Sequence, residues 1–291
     1  MDPTVVFGFD METDIGSWTP FYEGLVRGTP RILEILDNHD VAGTFYFTGD
    51  AASSHPEIVH MVRDAEHEVG CHSLYHETLG DELIPIPGLR PVLPEECYHR
   101  VEVATKVVEN IAGIKMLSFR APRLWGSTAL LNALEYLGYK TDASYPMFFY
   151  KDRLVPYHPS RANWAIEGDM KIVEIPNFAD MTMQSKDPHS RDRDQWPKFR
   201  TESATELMKH IDCMLEMYRQ KDLPAVLCFY FHPWEFYEMP QGLIHFGEGA
   251  VLPDPFIVKN CGKYAIEQLD LLIRQLKYRG AIFKCAQDIV V

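Results

Sequence analysis

Short apolar runs bounded by Gly, Pro or polar residues recur along the chain. They are "VVFGF" (5–9), "GTFYFTG" (43–49), "EVGCHS" (68–73), "LSFRAP" (117–122), "YKTDAS" (139–144), "KIVEIP" (171–176), "AVLCFYFH" (225–232) and "GAIFKCA" (280–286). Their length and their wealth of Val, Ile and Phe predict buried strands. Between them the apolar positions change to helical spacing. Thr29 and Pro30 supply a cap and a first-turn proline for a helix over 29–41. Ser54 and Glu57 stand at capping-box spacing ahead of Ile58, Met61, Val62 and Ala65. Leu130, Leu131, Leu134 and Leu137 share one face of a helix that Gly138 should close. Residues 203–220 and 264–280 repeat the helical pattern. Eight strands alternating with helices predict an α/β architecture, and a (β/α) barrel is its expected closure.

A barrel needs about 250 residues, so the 291 residues are read as one domain, 1–291. No internal repeat or linker-like composition divides them. Two stretches break the alternation, 85–94 ("PIPGLRPVLP") and 185–200 ("SKDPHSRDRDQWPKFR"). Both are expected as loops on the barrel rim, where a lid over a substrate would sit.

Composition narrows the function. A net charge of −14 argues against a nucleic-acid backbone as partner, because that binding needs a clustered basic surface. No apolar run approaches the roughly 18 residues of a membrane span, and no basic stretch followed by an apolar one opens the chain. The six cysteines, Cys71, Cys97, Cys213, Cys228, Cys261 and Cys285, show no tight spacing and read as reduced thiols, mostly in the core. A soluble, cytoplasmic protein is the expectation.

In a parallel barrel the site collects at the C-terminal ends of the strands. Reading only those ends gives Asp10 and Glu12, then His72 and His76, then Arg120, Asp142 and His232. Asp10 and Glu12, two residues apart, share a face if the strand continues. The "HSLYH" stretch sets two imidazoles four residues apart. With one carboxylate they make a set that can hold a divalent metal open to water. Each group also has a structural alternative: a capping carboxylate, an ion-paired arginine, a turn aspartate, a buried histidine. Together they weigh more than any one alone.

These stretches, in this order, resemble the polysaccharide deacetylase (NodB-homology, carbohydrate esterase family four) superfamily. The likeness runs through "FGFDMETD", "GTFYFTG", "EVGCHSLYH", "SFRAPRLWG", "YKTDASYP", "VEIP" and "FYFHPWEF". It implies a distorted (β/α) barrel of seven or eight strands and hydrolysis of a non-peptide C–N bond with a bound divalent metal. Two motifs depart from the common pattern. Where usual members have adjacent aspartates, Met11 follows Asp10 and the second carboxylate is Glu12. This D-x-[D/E] form is similar to a branch that includes intracellular deacetylase-like proteins and cyclic imide or ureide hydrolases. The usual RxPYG-type motif is changed to "RAPRLWG".

By that resemblance Glu12, His72 and His76 hold the metal, with Zn²⁺ the favoured ion. Asp10 is the base, His232 the acid, Arg120 the partner of Asp10, and Asp142 the group that stabilises charged His232. Asp14 is left as a spare ligand or a loop residue, and Trp18, Tyr22, Trp125 and Trp234 as candidate pocket walls. The expected substrate is a small N-acetylated compound, with a cyclic amide as the alternative and a catalytically inactive binding protein as the reading from another class. The branch also implies a homo-oligomer with a narrowed mouth.

Overall fold

The protein is described by a computed structural model covering residues 2–291. Seven parallel strands form a curled sheet: β1 (Thr4–Met11), β2 (Thr44–Phe47), β3 (Glu68–Cys71), β4 (Ser118–Phe119), β5 (Thr141–Asp142), β6 (Val173–Glu174) and β7 (Val226–Phe231). β7 pairs with β1, and the order then runs β1-β2-β3-β4-β5-β6. Beyond β6 the chain reaches β7, where Asn177 bridges Cys228 and Phe178 N donates to Cys228 O at 2.7 Å. The curl is thus a distorted barrel. The hairpin β8 (Ile244–Phe246) and β9 (Gly249–Val251) stands apart from the sheet. The eighth predicted run forms β10 (Ile282–Phe283), which pairs only with the start of β1.

Strand alternation sorts β1 into two columns. Val5, Phe7, Phe9 and Met11 join the large core between sheet and helices. Val6 joins Tyr46, Ala143, Val173, Ile175 and Cys228 in a second cluster inside the barrel. The inner column therefore reads Val6, Gly8, Asp10, Glu12, from an apolar start to an ionisable mouth. Gly8 is required by a close approach, since a Cβ there would lie 2.1 Å from the Arg120 guanidinium.

Three helix expectations need correction. The first helix runs Glu23–Asn38, so Pro30 lies inside it rather than at its first turn. The proline removes one backbone bond, but Gly24 and Gly28 let the helix press against Pro233 and Trp234. That contact carries the start of the helix, and glycines leave no apolar signature in the sequence. The Ser54–Glu57 capping box does not form. Ser54 ends the short helix Gly49–Ser54, and the next helix, Pro56–Asp64, begins after His55. Its buried face is Ile58, Val59 and Val62, with Met61 and Ala65 exposed. The longest helix, Pro94–Ala112, was not anticipated, because Pro94 ends the proline-rich stretch and also opens the helix. The leucine helix Thr128–Leu137 forms as expected, capped by the Ser127 side chain and closed by Gly138 at φ 88°. No helix among the described residues is long and apolar enough to cross a membrane.

Candidate active site

The parallel register brings the ends of β1 and β7 together. Phe9 pairs with Phe231, so Asp10 and His232 follow as neighbours at the mouth. The next strands add the histidines. His72 directly follows β3, and left-handed turns at Ser73 (φ 72°) and His76 (φ 58°) fold the loop so that both imidazoles reach Glu12. His76 Nε2 lies 2.5 Å and His72 Nε2 3.7 Å from Glu12 Oε2. One ligand atom from each of the three lies within 4.8 Å of the others.

This cluster fits a divalent cation on its own chemistry. All three side chains are buried, and Glu12 Oε1 and His72 Nε2 have no hydrogen-bond partner. Buried polar atoms are almost always paired, so orphans gathered at one point mark a place for a missing partner. His72 Nδ1 bonds Arg120 O at 2.7 Å, which makes Nδ1 the donor and leaves Nε2 with its lone pair toward the cluster. Burial opposes the charge of Glu12, yet His76, His72 and His232 hold its pKa well below the usual carboxylate range. Burial likewise lowers the pKa of His76, favouring the neutral, ligating form.

Arg120 crosses the barrel interior and is fully buried. Its Nη1 donates to Asp10 Oδ1 at 3.0 Å, its Nε to Ala143 O at 3.1 Å and its Nη2 to Asn177 Oδ1 at 3.2 Å. It also stacks over Tyr46, 4.5 Å from the ring centroid. Asp10 is thereby fixed through one oxygen, with Oδ2 left free of protein donors.

His232 is held from the far side. Its Nδ1 lies 3.0 Å from Glu235 Oε1, while Nε2 lies 3.9 Å from Glu12 Oε1. Glu235 is itself buried. Its Oε2 accepts from Arg200 Nε at 2.5 Å, and its Oε1 also accepts from Trp196 Nε1 at 3.0 Å. Burial works against an imidazolium at His232, but the bond to Glu235 and the charges of Glu12, Glu235 and Asp10 outweigh it and raise the pKa.

Asp142 is the predicted residue that the fold does not bring to His232. Its Oδ1 accepts from Ser144 Oγ at 2.7 Å, and its neighbouring charge is the buried Glu174 carboxyl. Burial pushes Asp142 up to about 6, and burial with the nearby Asp142 charge raises Glu174 well above its ordinary value, so the two titrate as a pair. Glu235 takes the place expected for Asp142. The clue lay in "HPWE", where Glu235 stands three residues after His232 and can reach back locally. Asp14 lies outside the Glu12–His72–His76 cluster. Its carboxylate accepts from Glu23 N at 3.1 Å and Gly24 N at 2.9 Å, anchoring the first turn of helix Glu23–Asn38.

Asp10, Glu12, His76 and His232 open into a cavity of about 400 Å³. Trp18, Trp125 and Trp234 are among its walls, whereas Tyr22 turns aside to Asp50. Both rim segments contribute, Ile86 from 85–94 and Arg191, Asp194 and Trp196 from 185–200.

A curled parallel barrel with a two-histidine, one-carboxylate cluster beside an acid–base pair defines a class of hydrolase-like sites. The polysaccharide deacetylase family profile matches residues 3–141, and over those residues the chain is similar to that family. It is 29% identical over 123 residues to the peptidoglycan-N-acetylmuramic acid deacetylase PdaA of Bacillus subtilis, covering 42% of this chain and 43% of that protein. It is 31% identical over 111 residues to the chitooligosaccharide deacetylase of Azorhizobium caulinodans, covering 38% and 48%. The chain thus spans less than half the length of these curated relatives. The fold matches a probable polysaccharide deacetylase from Pseudomonas aeruginosa PAO1 at TM-score 0.64, with 12% identity over 99% of this chain and 89% of that one. It also matches PuuE allantoinase at TM-score 0.63, with 13% identity over 99% and 88%.

Proposed function

We propose that the protein is a metal-dependent hydrolase of a non-peptide C–N bond, acting as a deacetylase on a small N-acetylated sugar or related compound. The observation that carries this reading is the convergence of Asp10, the Glu12–His72–His76 cluster and His232 on one cavity. A divalent cation, Zn²⁺ by the nitrogen-rich donor set, supplies Lewis acidity toward a water and the substrate carbonyl.

The chain's own groups do the rest. Asp10, held through Oδ1 by Arg120, takes the water's proton on its free Oδ2. His232, with Nδ1 engaged by Glu235, presents Nε2 to the departing amine and protonates it. Without that proton the amine is too poor a leaving group. The walls exclude solvent and select for size, since a cavity of about 400 Å³ suits a compact substrate better than a polymer. The same compactness keeps a cyclic imide or ureide as the second reading. With this activity we place a single-domain, cytoplasmic homo-oligomer, whose assembly light scattering reads directly.

A panel of N-acetyl sugars and cyclic imides, assayed with and without added Zn²⁺, tests the proposal. Turnover of one class that depends on metal supports it. A metal-loaded protein silent on every member would overturn it in favour of a binding protein.

A further inference from the structure

The arginines of this acidic protein are distributed unevenly. Among the described residues every arginine has a carboxylate oxygen within 4.0 Å except Arg90, Arg123, Arg191 and Arg193. Two of those four, Arg123 and Arg191, line the cavity that holds the candidate site. Each carboxylate on the same walls already has at least one protein partner. Asp10 is paired with Arg120 and Glu12 with the histidines. Asp194 accepts from Tyr230 Oη and from Trp196 N, and Asp254 accepts from Phe256 N at 2.8 Å.

Arg123 is positioned rather than loose. Its Nη1 donates to His76 O at 3.2 Å and Thr78 Oγ1 at 3.4 Å, which leaves Nε and Nη2 without protein acceptors. The backbone is bent to place it, with φ 62° at Arg123 and 60° at Leu124, a region disfavoured for L residues. Leu83, Ile84 and Trp125 line the same cavity, so burial opposes the guanidinium charge, and the Glu12 carboxylate supports it without an ion-pair contact. Arg123 is also the residue that changes the third sequence motif to "RAPRLWG". Arg191 lies exposed at the rim, near enough to the buried Asp194 to act on its carboxyl but without an ion-pair contact, and there it would draw an anion inward.

From this geometry we infer that the cavity recognises a compact substrate carrying one anionic group, a carboxylate or a phosphate monoester, which Arg123 binds through its free donors and Arg191 attracts at the entrance. The inference rests on the hydrolase reading for which bond is cut, but not for the anion site itself. A planar fork of guanidinium donors matches both kinds of oxyanion.

The test uses matched pairs on the metal-loaded protein: N-acetylglucosamine against its 6-phosphate, and hydantoin against hydantoin-5-acetic acid. The pair that is turned over should favour its anionic member by about 10- to 100-fold in kcat/KM, the worth of one or two hydrogen bonds to charge. The preference should shrink as salt rises. Arg123→Gln should cut it chiefly through KM, and Arg191→Gln, at an exposed position, should cut it less. Calorimetric titration of inorganic phosphate into wild-type and Arg123→Gln proteins reads the site without turnover. Weaker phosphate binding in the variant together with a silent substrate panel would leave the anion site standing and remove the hydrolase. Equal hydrolysis of neutral and anionic members, with equal phosphate binding to both proteins, would overturn the anion site and leave the hydrolase intact.

Discussion

The two ends of the barrel both bury a glutamate, and they treat it in opposite ways. At the floor, Glu68 starts β3, and its oxygens are saturated by Ser118 Oγ, by Thr44 Oγ1 at 2.7 Å and by Gln287 N at 3.2 Å. At the mouth, Glu12 Oε1 and His72 Nε2 have no partner. Burial without satisfaction costs about 1–3 kcal/mol per group, and a fold that pays nothing of the kind at one end has no structural need to do so at the other. The floor is polar architecture. The mouth holds the candidate cation cluster.

The largest expected effect follows from removing the partnerless groups. Glu12→Ala and His72→Ala should each lose bound metal and reduce turnover to background while the far-ultraviolet circular dichroism stays native. Elemental analysis of the purified variants reads this directly, and full metal content in either would break the contrast between mouth and floor. Asp10→Asn should retain most of the metal, because Asp10 lies outside the ligand cluster, yet lose about 10²–10⁴-fold in kcat as a general base is removed.

Next in size are the acid and its support. His232→Ala should cost about 10²–10⁴-fold, with smaller losses on substrates whose leaving groups need less protonation. Equal losses across a leaving-group series would exclude His232 as the acid. Glu235→Gln separates positioning from chemistry. Glu235 raises the His232 pKa, and an acid works only while protonated, so activity falls as pH rises through that pKa. Removing the Glu235 charge lowers the pKa, and the basic limb of the pH–kcat profile should move to lower pH. A bound cation would offset the contribution of Glu12 to that pKa but not that of Glu235. An unmoved limb would assign Glu235 a purely structural role.

Much of the mouth was legible in the sequence because parallel strands deliver their ends to one place. Asp10, Glu12, His72, Arg120 and His232 each follow or close a recognisable apolar run. Asp142 also ends a strand, but its direction depends on Ser144 and Glu174, which strand position alone does not reveal. Arg200 and Trp196 approach Glu235 across 35 and 39 residues of sequence, and no local pattern announces such a contact. The start of helix Glu23–Asn38 escaped for a related reason. Its packing face begins with Gly24 and Gly28, whose value is the absence of a side chain against Trp234 and Pro233.

The smallest expected effect on activity belongs to the floor, where the comparison is sharpened by its pH dependence. Burial raises the Glu68 pKa against the hydrogen bonds from Ser118, Thr44 and Gln287. A carboxyl whose folded pKa lies above its unfolded value adds stability that is fully present below the unfolded pKa. That stability is lost as pH rises through the folded pKa. Wild-type Tm relative to Glu68→Gln should therefore decline as pH climbs from the ordinary carboxylate range toward neutrality. At neutral pH the amide should change stability by only about 1–2 kcal/mol, since it keeps one acceptor and gains a donor that Thr44 can accept. Thermal melts of the two proteins across that pH range, beside kcat at neutral pH, make the measurement. A flat Tm difference would remove the burial argument for Glu68. A kcat loss of tenfold or more would show that the floor reaches the chemistry, and the division between a structural end and a catalytic end would fail.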